Sequence, residues 1–188
     1  MLALSQTQSH LRYPFISILG SAGQGVRLVL DMLARQQLVI VHGTGRTQLH
    51  ALNPSHPFAG ALVAFFRVEQ RRWDRLFKSI REILAERGPA VSAAWLYGSV
   101  ARCEDSPASD LDIAPLVHSQ SVTDQVREKL MPLEDGEQLR ISLTALTPRD
   151  LAALPEDDPW WSDVVRDGRV LKGAAPDQAR RRLARALA

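Results

Sequence analysis

Cysteine is nearly absent from this 188-residue chain, with Cys103 standing alone. A single thiol excludes an intrachain disulfide framework and a zinc site built on several cysteines, and it fits a reducing cytosol. Net charge is equally scant. Against 23 Lys and Arg stand 21 Asp and Glu, giving +2, so no global field draws the molecule to nucleic acid and any basic partner surface must be local. Aromatic residues make up only 6% of the chain, and Trp73, Trp95, Trp160 and Trp161 are read as core or interface residues. No apolar run is long enough to cross a bilayer, and the first residues lack the basic-then-apolar layout of a secretory signal. The expectation is a cytoplasmic protein with no membrane partner. What is present is ordinary: 45% hydrophobic and 23% charged residues, enough chain for one or two domains with a real core.

In the first 20 residues, Leu11–Leu19 is apolar but interrupted by Pro14. From Ser21, a capping residue, Val26, Val29, Leu30 and Leu33 recur at helical spacing up to Arg35. Leu38–His42 and Gln48–Leu52 then read as short strands around the Gly-rich loop Gly43–Thr47. A helix followed by a basic-tipped hairpin resembles the second half of a winged helix-turn-helix module. That resemblance offers Ser21, Gln24, Arg27 and Arg35 to a DNA groove and Arg46 to phosphates. The alternative is a module that only packs or mediates dimerisation. Asn53-Pro54 and His56-Pro57 then mark a boundary. A long helix follows from about Phe58 to Arg87, with an apolar stripe (Leu62, Phe65, Phe66, Trp73, Leu76) and a basic face (Arg71, Arg75, Lys78, Arg81) most simply read as solvated. His42, His50 and His56 are irregularly spaced and read as surface or packing residues.

Beyond Gly88-Pro89 the pattern turns to strands. Val91–Tyr97 is the first, Ser109–Val117 the second and Gln138–Leu146 the third, its alternation placing Arg140, Ser142 and Thr144 on one face. Val122–Leu133 is predicted helical. Thr147 caps a further helix with Pro148 at its first position, Asp158–Asp167 forms another, and Arg169–Lys172 adds an edge strand. The Arg-rich tail from Ala174 is expected as a frayed surface helix. The predicted organisation is residues 1–56 as the winged-helix-like module, 57–88 as a linking helix, 89–173 as an α/β domain and 174–188 as a basic tail.

The stretch Trp95–Ile113 carries the chemistry. Asp110 and Asp112 alternate with Leu111 and Ile113, so on a strand both carboxylates share a face. Two neighbouring carboxylates repel unless a cation lies between them, and a divalent metal is the usual partner. Gly98 permits a tight turn, and Ser99 opens a short helix whose free N–H groups favour phosphate. A phosphate cradle facing a carboxylate pair is the layout of a metal-dependent site for a nucleoside triphosphate.

Gly98-Ser99, Arg102 and Ser109-Asp110-Leu111-Asp112 resemble the GSxxxG…SDxD signature of the polymerase-beta-like nucleotidyltransferase superfamily, most closely its minimal nucleotidyltransferase branch. The resemblance implies an α/β fold, a small mixed sheet with flanking helices. It implies Mg²⁺ or Mn²⁺ held by Asp110 and Asp112, and a nucleoside triphosphate held by Gly98, Ser99, Arg102 and Ser109. It also implies a protein partner, because such domains occur in toxin–antitoxin pairs; a homodimer is the alternative. The chain departs from the pattern twice. Cys103 stands where a Gly is expected, and Ser142 falls where the superfamily has a third carboxylate.

Two functions follow. One is transfer of a nucleoside monophosphate to an acceptor, with antibiotic modification as a variant. The other is a DNA-binding regulator whose nucleotidyltransferase-like domain is inert or senses nucleotide. The intact Ser109–Asp112 favours the first and Ser142 the second.

Overall fold

A computed structural model of the protein describes residues 24–43, 48–106 and 108–187. The expectations for residues 1–20, Ser21, Arg46 with its hairpin tip, Pro107 and the side chain of Gln24 lie outside the described residues. The chain divides into two compact units, Met1–Trp73 and Asp74–Ala188.

In the first unit, helix α1 (Gln24–Arg35) is followed by an antiparallel hairpin of β1 (Val39–His42) and β2 (Leu49–Leu52), with Val39 opposite Leu52. Gln37, left-handed at φ 56°, turns the chain from helix to strand. Asn53 fixes that turn: its amide donates to the Gln37 carbonyl at 2.8 Å, and its backbone N–H to the Leu38 carbonyl at 2.9 Å. Leu30 is buried while Arg27 and Arg35 are exposed, as an amphipathic helix requires. Helix α2 (Ala59–Glu86) begins in this unit and continues into the second. Its Leu76, Ile80 and Leu84 are buried, and these are spaced four apart on one stripe.

The second unit is built on a four-stranded mixed sheet. Its strands are β3 (Val91–Tyr97), β4 (Leu111–Val117), β5 (Ile141–Leu143) and β6 (Arg169–Lys172), in the order β5-β4-β3-β6. β3 pairs antiparallel with β4 and β6, and β4 parallel with β5. Helices α3 (Gly98–Arg102), α4 (Gln120–Glu137), α5 (Pro148–Ala153), α6 (Pro159–Asp167) and α7 (Pro176–Leu187) complete it. One sheet face presents Ala93, Trp95, Ala114 and Leu116 to a core closed by Leu151, Trp161, Val164 and Ala179 from α5, α6 and α7. Trp95 and Trp161 meet edge to face at 5.6 Å between ring centres, which adds roughly 0.5–1.5 kcal/mol beyond the area they bury. The indole N–H of Trp95 is satisfied by the Ala174 carbonyl at 2.8 Å. Thr147 and Asp150 form a reciprocal capping box with Pro148 at the first helical position, as the sequence signals.

Three boundaries differ from the sequence reading. The second strand begins at Leu111, so Asp110 stands in the loop before it. Helix α4 runs through Pro132 to Glu137 and stops at left-handed Gln138, leaving β5 only three residues. The tail is not a frayed surface helix: α7 buries Ala179 in the core and packs Leu183 against it.

Candidate active site

Asp112 lies in the middle of a row across the sheet. It is opposite Tyr97 on antiparallel β3 and opposite Ser142 on parallel β5. The three side chains therefore emerge side by side on the face that α5–α7 cover further along. Ser142, the residue aligned in sequence with the superfamily's third carboxylate, is the β5 neighbour of Asp112. Above it, the Tyr97 hydroxyl shares a 2.8 Å hydrogen bond with the Thr144 hydroxyl, and the Tyr97 ring meets Trp160 edge to face at 5.6 Å. One wall of the site is thereby fixed by aromatic packing.

Gly98 follows Tyr97 directly with φ +75°. A Cβ there would overlap the Asp112 carboxylate, whose Cγ would lie 3.2 Å away. Both facts require glycine: the backbone is left-handed and the vacant side-chain position is where the Asp112 carboxylate rests. Burial pushes the Asp112 carboxyl up, and the nearby Asp110 charge adds to the rise. Asp110 is exposed at the open end of the site. Ser109 anchors the loop leading to it, its hydroxyl accepting from the Ser106 N–H at 2.9 Å.

The short helix α3 carries Ser99, half-buried, and ends at Cys103, which adopts φ 60°, ψ 35°. That is the left-handed conformation for which a glycine is the natural occupant. Cys103 keeps the turn through an N–H bond to the Val100 carbonyl at 3.3 Å, while Glu104 N–H bonds the Ser99 carbonyl at 2.9 Å. Arg169 donates to the Cys103 sulfur at 3.0 Å. Arg102 pairs with carboxylates. Its Nε meets Glu104 at 2.7 Å, and its other nitrogen lies 3.9 Å from Asp167. The Glu104 hydrogen bond holds its guanidinium still more firmly charged, with Asp167 and Asp163 contributing.

At the same end of the sheet an open cleft of about 650 Å³ is lined by Ser109, Asp110, Glu134, Asp135, Gln138 and Arg140, among others. Arg140 is placed by its neighbours: its carbonyl accepts from Leu111 N–H at 2.8 Å, and the next residue's N–H bonds Glu134 at 2.6 Å. The structure therefore brings together Gly98, Ser99, Ser109, Asp110 and Asp112 at one end of β3 and β4, and turns Arg102 to Glu104. Arg140 was legible only as a member of the polar face of the third strand. Arg27 is exposed on α1 in the other unit, and Gln24 and Arg46 contribute no described side chain.

Among the described residues no group of three or more His, Cys, Asp or Glu is clustered to hold a metal ion, and no helix is long and apolar enough to cross a membrane. The family described as "Polymerase beta, Nucleotidyltransferase" matches residues 78–171, which is half of the chain. The chain belongs to this nucleotidyltransferase family. No curated protein matches it. Among solved structures, a chain of a toxin–antitoxin complex with AMP-PNP is 18% identical with a TM-score of 0.43, over 59% of this chain and 86% of that one. A chain of the toxin–antitoxin MntA–HepT is 17% identical with a TM-score of 0.39, over 61% and 86%. A third comes from a tri-AMPylated Shewanella oneidensis HEPN toxin in complex with MNT antitoxin. It is 19% identical with a TM-score of 0.40, over 61% and 85%.

Proposed function

We propose that the Asp110–Asp112 end of the sheet binds a nucleoside triphosphate and transfers its nucleoside monophosphate to an acceptor hydroxyl, in a protein that works with the protein partner the family resemblance implies. The observation that carries the reading is the fit of the Asp112 carboxylate against the backbone of Gly98. It couples the two halves of the signature in space and excludes a side chain at Gly98. Two adjacent carboxylates, one of them pushed up by burial and by the other's charge, form a donor pair suited to Mg²⁺ or Mn²⁺. Such an ion takes one or two carboxylates and completes its shell with phosphate oxygens and water. When bound, it would neutralise the charge on the phosphates.

The chain's own residues supply position. Ser99 and the backbone N–H groups beside it lie where terminal phosphates would be gripped, and Tyr97 with Trp160 walls one side. Ser142 supplies neither charge nor a strong base, so it gives no help in taking the proton from an acceptor, and slow turnover is expected. This feature also supports a second reading, a nucleotide sensor serving a DNA-binding module through Gln24, Arg27 and Arg46.

Pyrophosphate release from each triphosphate, with Mg²⁺ or Mn²⁺, tests the proposal on the wild type and on Ser142→Asp. The added carboxylate beside Asp112 is expected to raise release on the order of tenfold, the scale on which an added metal-site partner acts. Release absent from both proteins, with nucleotide still bound, would favour the sensor.

A further inference from the structure

We infer that Arg140, rather than Arg102, is the cation that holds the phosphates of the bound nucleotide; this rests on the proposed nucleotide site and names its anion contact. Arg102 is the arginine within the signature, but its guanidinium is committed to Glu104 at 2.7 Å and lies 3.9 Å from Asp167. To reach a ligand it would have to leave both carboxylates, giving up a charge-assisted hydrogen bond to gain another. Arg140 has no such tie. Its side chain is exposed, it has no side-chain partner among the described residues, and it lines the 650 Å³ cleft together with Ser109 and Asp110.

The backbone at Arg140 is held on both sides. Its carbonyl accepts from Leu111 N–H at 2.8 Å, which keeps it beside Asp110 at the start of β4. Ile141 N–H donates to Glu134 at 2.6 Å, and Arg127 donates to the Ile141 carbonyl and lies 3.5 Å from Glu134. A forked cation on a fixed backbone, in the same cleft as Asp110, whose proposed ligand is a metal-bound polyphosphate, is suited to bidentate contact with phosphate oxygens. The remaining charges of the cleft, Asp110, Glu134 and Asp135, repel an anion. Arg140 is the one cationic side chain among the described residues that line the cleft.

The test is calorimetric titration of Mg-ATP and of AMP into the full chain as wild type, Arg140→Ala, Arg140→Lys and Arg102→Ala. Loss of a charged hydrogen-bonding partner predicts a drop in Mg-ATP affinity of about tenfold or more for Arg140→Ala. The drop for AMP should be smaller, Arg140→Lys should recover part of the affinity, and Arg102→Ala should stay within about twofold of wild type. Thermal midpoints unchanged from wild type would show that the fold is intact, as expected for an exposed side chain. If the wild type binds Mg-ATP but Arg140→Ala binds it equally well, or if Arg102→Ala is the variant that loses it, the assignment of Arg140 is wrong while the nucleotide site stands. A wild type that binds no nucleotide overturns both.

Discussion

At the scale of single residues, the site depends on two left-handed positions with opposite occupants. Gly98 sits at φ +75° with the Asp112 carboxylate in its side-chain space. Gly98→Ala is therefore expected to destabilise the protein by about 1–3 kcal/mol and to weaken Mg-nucleotide binding by displacing Asp112, read by urea unfolding and calorimetry together. Cys103 occupies the same region of backbone space at φ 60° without glycine's freedom. A side chain there costs about 1–2 kcal/mol, while glycine's extra freedom in the unfolded chain costs about 0.5–1. The first is larger, so Cys103→Gly should stabilise by about 0.5–1 kcal/mol in chemical denaturation. A variant less stable than wild type would mean that the Arg169 contact to sulfur outweighs the backbone strain.

At the scale of elements, α5 illustrates how local chemistry sets a boundary. Asp150 accepts from the Thr147 N–H at 2.8 Å and from its hydroxyl at 2.7 Å, and these bonds hold its carboxyl below the ordinary value of 3.8. A carboxyl depressed in the folded state stabilises above its unfolded pKa, and that contribution is lost as pH falls through the folded value. Wild type should therefore exceed Asp150→Asn in thermal midpoint at about pH 6, with the gap narrowing as the pH falls below the ordinary carboxylate range. A gap that widens on acidification would contradict the capping role.

Most of this architecture was legible because it depends on short-range signals. Thr147-Pro148 and Asp158-Pro159 start helices through their own side chains. Val91–Tyr97 shows as a mostly apolar run, interrupted at Ser92, because β3 lies inside the sheet with neighbours on both sides. The errors lie where tertiary contacts decide. The helix read as ending at Leu133 continues to Glu137, where Glu134 reaches β5 through the Ile141 N–H. The Arg-rich tail reads as solvated because its anchor is one small residue, Ala179, and because Arg180 turns back to the Leu154 and Pro155 carbonyls. In the site, the carboxylates and the glycine were visible as a motif. The pairing of Arg102 with Glu104 and the place of Arg140 in the cleft required coordinates, since neither spacing nor residue type specifies where a long, flexible side chain ends.

At the scale of the molecule, the described core is concentrated in Asp74–Ala188, where buried residues cluster around Trp95 and Trp161 and where the whole family match lies. The functional claim belongs to that unit. In the unit Met1–Trp73, Leu30 and Ala59 are the buried hydrophobics among the described residues, and its proposed part is at most a contact with DNA. The claim that the Asp110–Asp112 pair binds a metal–nucleotide complex is the one on which the rest depends.

Calorimetric titration of Mg-ATP and the other triphosphates into wild type and Asp110→Ala/Asp112→Ala, with and without Mg²⁺, tests that claim most directly. Saturable binding that requires the metal and is lost in the double variant is expected, while the variant remains folded by circular dichroism. Binding that survives both substitutions, or no binding to the wild type with any triphosphate, would contradict it.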